Sequence, residues 1–388
     1  MQDAPAKGLW SKDFLGLISS NLLLCLGIYM LPATLPAYVA GIGGSAFQTS
    51  LVIGAFSILS MATRMASGVI FDVTGEKSII WIGIASIAAT TFLMIWMPVN
   101  GILLMRGIQG VGWGLATSAI ATVVYKIVPE SQRGEGAGYY ALTVIVPVSL
   151  SPLVAIVVMD YFEFKKVLAV SALLTFAGLA TLKQGLSSLA QHKPNPTASR
   201  GTMLARVFEG GAVLPSFLCF ILSVPLCGVM AYIVLYGREQ QVQNIWLFFV
   251  GYAAMILVTR TMIGRLFDAK GHAAIILPGS AAMLLGLIAL SQTRSITMLV
   301  VSSLLFGLGY GAVQPSLQTW AVNRCPPHRK AAANGLFMSA IDLGYIVGSI
   351  TLGQIAQSQG FAAMYLYAAG IMMVFMLIYL KNWKTPVP

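Results

Sequence analysis

The chain has 388 residues, 57% of them hydrophobic and only 9% charged. A water-soluble globular chain carries about 25% charged residues, so this one lacks the polar surface for a soluble exterior, and its mean hydropathy of +0.83 marks a membrane protein. Twelve spans of about 20–25 residues would use most of the length and exclude a sizeable soluble domain. The excess of 23 Lys and Arg over 12 Asp and Glu is then read first as a record of topology rather than of nucleic-acid binding.

Apolar runs bounded by charge, Pro or Gly predict helices over 14–39, 46–71, 78–98, 101–127, 134–159, 164–188, 213–236, 244–267, 273–292, 295–322, 331–356 and 361–383. The first run contains Pro32 and Pro36; it is longer than the roughly 7–15-residue apolar core of a signal peptide and reads as a retained helix. The polar stretch from Gln191 to Gly211 reads as a linker. The expected organisation is an N-terminal six-helix half (1–188), a cytoplasmic linker (189–212) and a C-terminal six-helix half (213–388).

With an even number of helices, both termini share one side of the membrane. That side would hold sixteen Lys and Arg, and the opposite side only Lys165, Lys166, Arg238 and Arg294. The bias predicts a multi-pass protein of the cell (inner) membrane with both termini cytoplasmic. The remaining basic residues, Arg64, Arg106 and Arg260, fall inside helices.

The two halves repeat each other. Residues 63–80 (TRMASGVIFDVTGEKSII) match residues 259–276 (TRTMIGRLFDAKGHAAII) at an offset of 196. The match pairs Arg64 with Arg260, Gly68 with Gly264, Asp72 with Asp268 and Gly75 with Gly271. A second echo aligns Gly110 to Gly114 (GVGWG) with Gly307 to Gly311 (GLGYG) at an offset of 197. Duplicated six-helix halves are a transporter architecture, with the substrate site between the halves near mid-membrane.

Gly68, Asp72, Gly75 and Lys77 match a G-x-x-x-D-x-x-G-x-[RK] signature between helices 2 and 3. With it the sequence resembles the major facilitator superfamily over essentially its whole length. Val73 and Glu76 replace basic residues usual in that signature. Arg106, Gly107, Gln109, Gly110 and Gly112 resemble the helix 4 motif R-x-x-Q-G-x-G of the drug:proton antiporter branch, and Ser151-Pro152 stands where helix 5 of those antiporters has Gly-Pro. The fold class this implies is an all-α membrane protein, with twelve transmembrane helices in two pseudo-symmetric halves.

Asp72 and Asp268 end helices 2 and 8. A carboxylate there can face a helix N-terminus, and the resemblance gives Asp72 that role at helix 11, latching the cytoplasmic side; the plainer alternative is a turn Asp followed by a Gly with positive φ. Asp342 is the only acid well inside a predicted span, a costly placement that calls for pairing or function. If Asp72 meets the start of helix 11, then eight residues along helix 2, about 12 Å, Arg64 comes opposite 340–342. The two would form a cross-half pair. Closed, Arg64 holds Asp342 ionised; opened, the desolvated carboxylate favours a proton. A static structural pair is the alternative.

Arg260 would face helix 5 near Ile145, where no acid exists. It could receive an anionic substrate group, or satisfy itself on carbonyls or lipid phosphate by snorkelling. For Arg106 the resemblance implies substrate binding or proton transfer, against hydrogen bonding to helix 1 residues such as Asn21. The resemblance also implies that helices 1, 4, 7 and 10 line the cavity. Their polar and aromatic residues include Asn21, Tyr29, Gln109, Trp113, Ser223, Tyr232, Tyr310, Gln314, Gln318 and Trp320. Amides and aromatics with few acids suit a polar, zwitterionic or anionic solute better than a lipophilic cation.

Gly110, Gly112 and Gly114 lie inside an apolar helix, with no strand before them, and read as a close-packing face. There is no paired metal-ligand spacing, nucleotide loop or hydrolase triad, and no disulfide is expected of Cys25, Cys219, Cys227 and Cys325. His192, His272 and His328 all fall in predicted cytoplasmic segments. The expectation is a non-enzymatic, cofactor-free, monomeric proton-coupled exporter of a small polar or zwitterionic/anionic metabolite. Arg64 together with D-L-G-x-x-x-G from Asp342 to Gly348 resembles exporters of small metabolites and opine-type metallophores, which implies a metallophore as one such cargo. Multidrug efflux, uptake by proton symport and a non-transporting sensor are the alternatives.

Overall fold

The computed structural model describes residues 9–129, 132–186, 209–326 and 329–383, and among these no strand forms. Lipid offers no hydrogen bonds, so apolar runs must satisfy their backbone internally as helices. The order is α1 (Lys12–Ile28), α2 (Leu31–Gly41), α3 (Ala46–Thr74), α4 (Glu76–Leu93), α5 (Val99–Ile127), α6 (Arg133–Tyr161), α7 (Phe164–Gly185), α8 (Val213–Glu239), α9 (Trp246–Lys270), α10 (Ala273–Ser291), α11 (Ile296–Asn323) and α12 (Lys330–Asn382). Among the described residues ten helical segments are long and apolar enough to cross a membrane, and Trp246–Arg260 of α9 forms a shorter apolar run.

Local chemistry sets the boundaries. Ser45 Oγ caps α3 by accepting from the Gln48 N–H while the Ser45 N–H donates to Gln48 Oε1, a reciprocal capping box. The predicted first helix is two, α1 and α2, separated at Tyr29 and Met30. Pro32, lacking an N–H, cannot continue the ladder from α1. The last two predicted helices are both present within Lys330–Asn382, taken together here as α12, and they part at Gly360 (φ 85°, ψ 164°) with almost no loop between them. Unbroken, such a helix would measure about 80 Å against a hydrocarbon core of about 30 Å. Gly360 is where it divides, in a conformation that glycine alone adopts freely.

The sequence repeat is a repeat of contacts. α5 packs on α3 and α4, and α11 packs on α9 and α10. A methyl group on Gly112 would meet the Gly83 carbonyl oxygen at 2.7 Å, and one on Gly309 the Gly279 carbonyl oxygen at 2.5 Å. Gly114 lies against Thr63 Oγ1, and Gly311 against Thr259 Oγ1. The partners Gly83/Gly279 and Thr63/Thr259 repeat at 196 residues and the glycines facing them at 197, the two offsets that align the text. The glycines let backbones approach where lipid supplies no hydrophobic drive for association. The hinge before α4 is shared too, with Gly75 at φ 79° and its counterpart Gly271 at φ 73°.

The buried apolar residues form two cores. One lies wholly within residues 9–186; the other is built chiefly from 212–379. They meet where α3 packs on α12, α6 on α9 and α2 on α8.

Candidate functional site

α3 and α12 run antiparallel across this meeting surface: Ser50 lies against Gly353, Gly54 against Ser349, and Arg64 against Asp342. At one end Tyr232 of α8 donates to the Ser349 carbonyl at 2.7 Å and its hydroxyl meets Ser50 Oγ at 3.0 Å. At the other, Arg64 Nε donates to Asp342 Oδ2 at 3.3 Å and Ser60 Oγ donates to the same oxygen at 3.1 Å. Arg64 Nη1 is fixed by Thr117 Oγ1 of α5 at 3.2 Å. Both bonds to Asp342 fall on Oδ2. Oδ1 accepts none among the described residues.

Arg106 is 1% exposed. Its Nε donates to the Val52 carbonyl at 3.0 Å, its Nη1 donates to Gln109 Oε1 at 2.8 Å, and its guanidinium lies 4.3 Å from the Phe56 ring centroid. Gln109 in turn donates to Thr91 Oγ1 at 2.7 Å. Of the two readings of Arg106, the alternative of a bond to Asn21 is not the one formed: α3 offers a carbonyl beside the guanidinium. Asn21 instead donates to Thr143 Oγ1 of α6 at 2.6 Å.

Arg260 has a different environment. Its Nη2 donates to Gln314 Oε1 at 3.2 Å, and its Nε is buried with no partner. Gln314 donates to Gln318 Oε1 at 3.4 Å, and Gln318 to Asn334 Oδ1 at 2.8 Å, so from the Arg260 guanidinium on α9 a chain of amides runs along α11 to the start of α12. Tyr252 and Tyr310 stack at 6.2 Å, within electrostatic range of Arg260. Tyr29 stands edge-on to Trp113 at 5.7 Å and within electrostatic range of Tyr310, Arg64 and Asp342.

Other expected positions lie elsewhere. Tyr232 belongs to the α3–α8–α12 seam, and Ser223 bonds back to the Cys219 carbonyl. Trp320 is 1% exposed, stacked at 4.5 Å on His272, whose Nδ1 meets Tyr379 OH at 2.6 Å. Burial and then the charge of Arg324 hold His272 below the ordinary imidazole value. The His272 position corresponds in the repeat to Glu76, which pairs with Lys126. The side chains of Asp72 and Asp268, and all of His192 and His328, lie outside the described residues. Among those described, no group of His, Cys, Asp or Glu could hold a metal ion.

Ser60, Thr117 and Tyr252 were not foreseen. Ser60 is one turn before Arg64 on the same face of α3. Tyr252 is two turns before Arg260, at the repeat position of Phe56.

The model of the Major Facilitator Superfamily matches residues 17–349 and 240–388. The chain belongs to that superfamily. As a member it is a multi-pass membrane transporter and not an enzyme. It is 22% identical to the staphylopine export protein of Staphylococcus aureus, the match covering 98% of this chain and 99% of that protein. It is also 22% identical to the proton-coupled antiporter flippase LtaA of Staphylococcus haemolyticus, over 85% of this chain and 84% of the other. A solved POT family transporter, in complex with a thioalcohol-conjugated peptide, shares the fold with a TM-score of 0.81 at 15% identity, covering 95% of this chain and 96% of that one.

Proposed function

We propose that this superfamily member is a proton-coupled exporter of a small polar metabolite, working by alternating access. It would do so as a monomer with twelve spans in two six-helix halves and with both termini and the 189–212 linker in the cytoplasm. The single observation behind this reading is the ion pair between Arg64 of α3 and Asp342 of α12, which bridges elements from opposite ends of the chain. Charges at membrane depth are costly and mark proton and substrate pathways.

While α3 and α12 touch, Arg64 compensates an ionised Asp342. Parting the helices withdraws that compensation from a desolvated carboxylate, which then favours a proton. The carboxylate that loses Arg64 and Ser60 together when α3 moves away is the group that receives it. Proton binding and helix separation therefore promote each other, as linkage requires. Ser60 stays with Asp342 only in the closed arrangement, since it belongs to α3. Latching of the cytoplasmic side by Asp72 and Asp268 forms part of the same proposal, as do substrate contacts from Arg106, Asn21, Tyr29, Gln109, Trp113, Tyr232, Tyr310 and Gln314. Two relatives support the reading by name, one for export and one for proton coupling.

The test uses proteoliposomes loaded with the pH dye pyranine and challenged with a panel of polar metabolites. A cargo should move protons through the wild type and none through Asp342→Asn. Equal proton movement in the variant overturns the coupling role.

A further inference from the structure

We propose that the cargo is an acid whose carboxylate occupies the fork formed by Nε and Nη2 of Arg260. The comparison of the two repeats carries this. Arg64 and Arg260 occupy equivalent positions, yet Arg64 has Asp342 opposite it and Arg260 has no acid among the described residues. α9 packs on α6, whose acids Glu135 and Asp160 lie near its two ends. One of two related arginines thus finds its counter-charge within the chain. The other finds none among the described residues and can take one that arrives.

The geometry of Arg260 selects what arrives. Nε and Nη2 lie on one edge of a guanidinium and together match the two oxygens of a carboxylate. Here Nε is buried without a partner, and Nη2 makes one bond, at 3.2 Å, to a neutral amide. A buried donor left unsatisfied is costly, and a carboxylate would satisfy both atoms while displacing only Gln314. The Tyr252 hydroxyl, on a residue 0% exposed, is a second buried group with no partner within electrostatic range of Arg260. The guanidinium reaches Gln314, itself 7% exposed, so it turns into the protein rather than snorkelling to lipid phosphate. Displacing Gln314 also disturbs the amide chain to Asn334 at the start of α12, the helix that bears Asp342.

The occupant's role as cargo rests on the transport reading; the carboxylate fork does not. The test is binding to the purified protein in detergent micelles, with succinate, glutamate and alanopine as probes and each probe's neutral amide as control. At least one acid should bind with no binding of its amide, and Arg260→Gln should weaken it at least about tenfold. Gln314→Glu supplies an internal carboxylate, so it should abolish acid binding while holding or raising the thermal midpoint. Absence of binding by all three acids, or binding unchanged in Arg260→Gln or in Gln314→Glu, overturns the inference. Arg260-dependent binding without proton movement in liposomes would sink the transport reading and leave the fork standing.

Discussion

Arg64 and Asp342 face each other across 3.3 Å with each side chain 12% exposed, although 278 residues separate them in the chain. Neither charge has water enough to stand alone. Arg64→Gln should therefore destabilise the folded protein by about 3–5 kcal/mol, the cost of stranding one member of a buried pair. Adding Asp342→Asn removes the stranded charge and should recover most of the loss. Thermal unfolding in micelles checks both; a double variant as weak as Arg64→Gln would show that the pair is not the source.

The pair formed by Lys126 and Glu76 obeys different physics, since the Lys126 side chain is 52% exposed. Water and salt screen it, so Lys126→Ala should cost less than about 1 kcal/mol. Repeating the unfolding at high ionic strength should shrink even that difference.

Gly112→Val and Gly309→Val should each destabilise by about 1–3 kcal/mol or more through overpacking, because both drive carbon into a carbonyl on the neighbouring helix. Gly370→Ala, where nothing lies within 4 Å, should leave the thermal midpoint level or slightly raised by its better helix propensity. Similar losses at both repeat positions would match the shared contacts; a loss at one alone would contradict them.

His272 should make stability fall on the acid side. Its imidazole is held below the ordinary 6.5 by burial and then by Arg324, so the unfolded chain binds the proton more readily than the folded one. Stability from this group is present above 6.5 and is lost as pH falls through the lowered folded value. Unfolding midpoints measured from about pH 7.5 down to about pH 5 should decline in the wild type and decline less in His272→Asn. Parallel slopes would remove His272 from the account.

The pair of Arg64 and Asp342 was legible because two antiparallel helices with one anchored contact fix every other contact by rise per residue. The repeat was legible for a similar reason, since glycines and charges at a constant offset survive where apolar text drifts. What the sequence withheld were side-chain directions. Arg106 had two helices within reach, and whether it met Asn21 or the Val52 carbonyl depended on a helix orientation that a period of 3.6 residues does not specify. The break at Gly360 was legible because Gln357, Ser358 and Gln359 interrupt the apolar text just before it, within the gap expected over 357–360. Tyr252 was missed because its neighbours are aromatic and it reads as ordinary core.

The two ends of the α3–α12 contact are made of different materials. Ser50, Tyr232 and Ser349 close one end with neutral hydroxyls and a carbonyl, while Ser60, Arg64 and Asp342 close the other with charge. A change of protonation acts on formal charges and leaves neutral hydrogen bonds almost untouched. In the proposed cycle the charged end is therefore the door that a proton can open, and the neutral end the one that responds only to heat and to the fit of its parts.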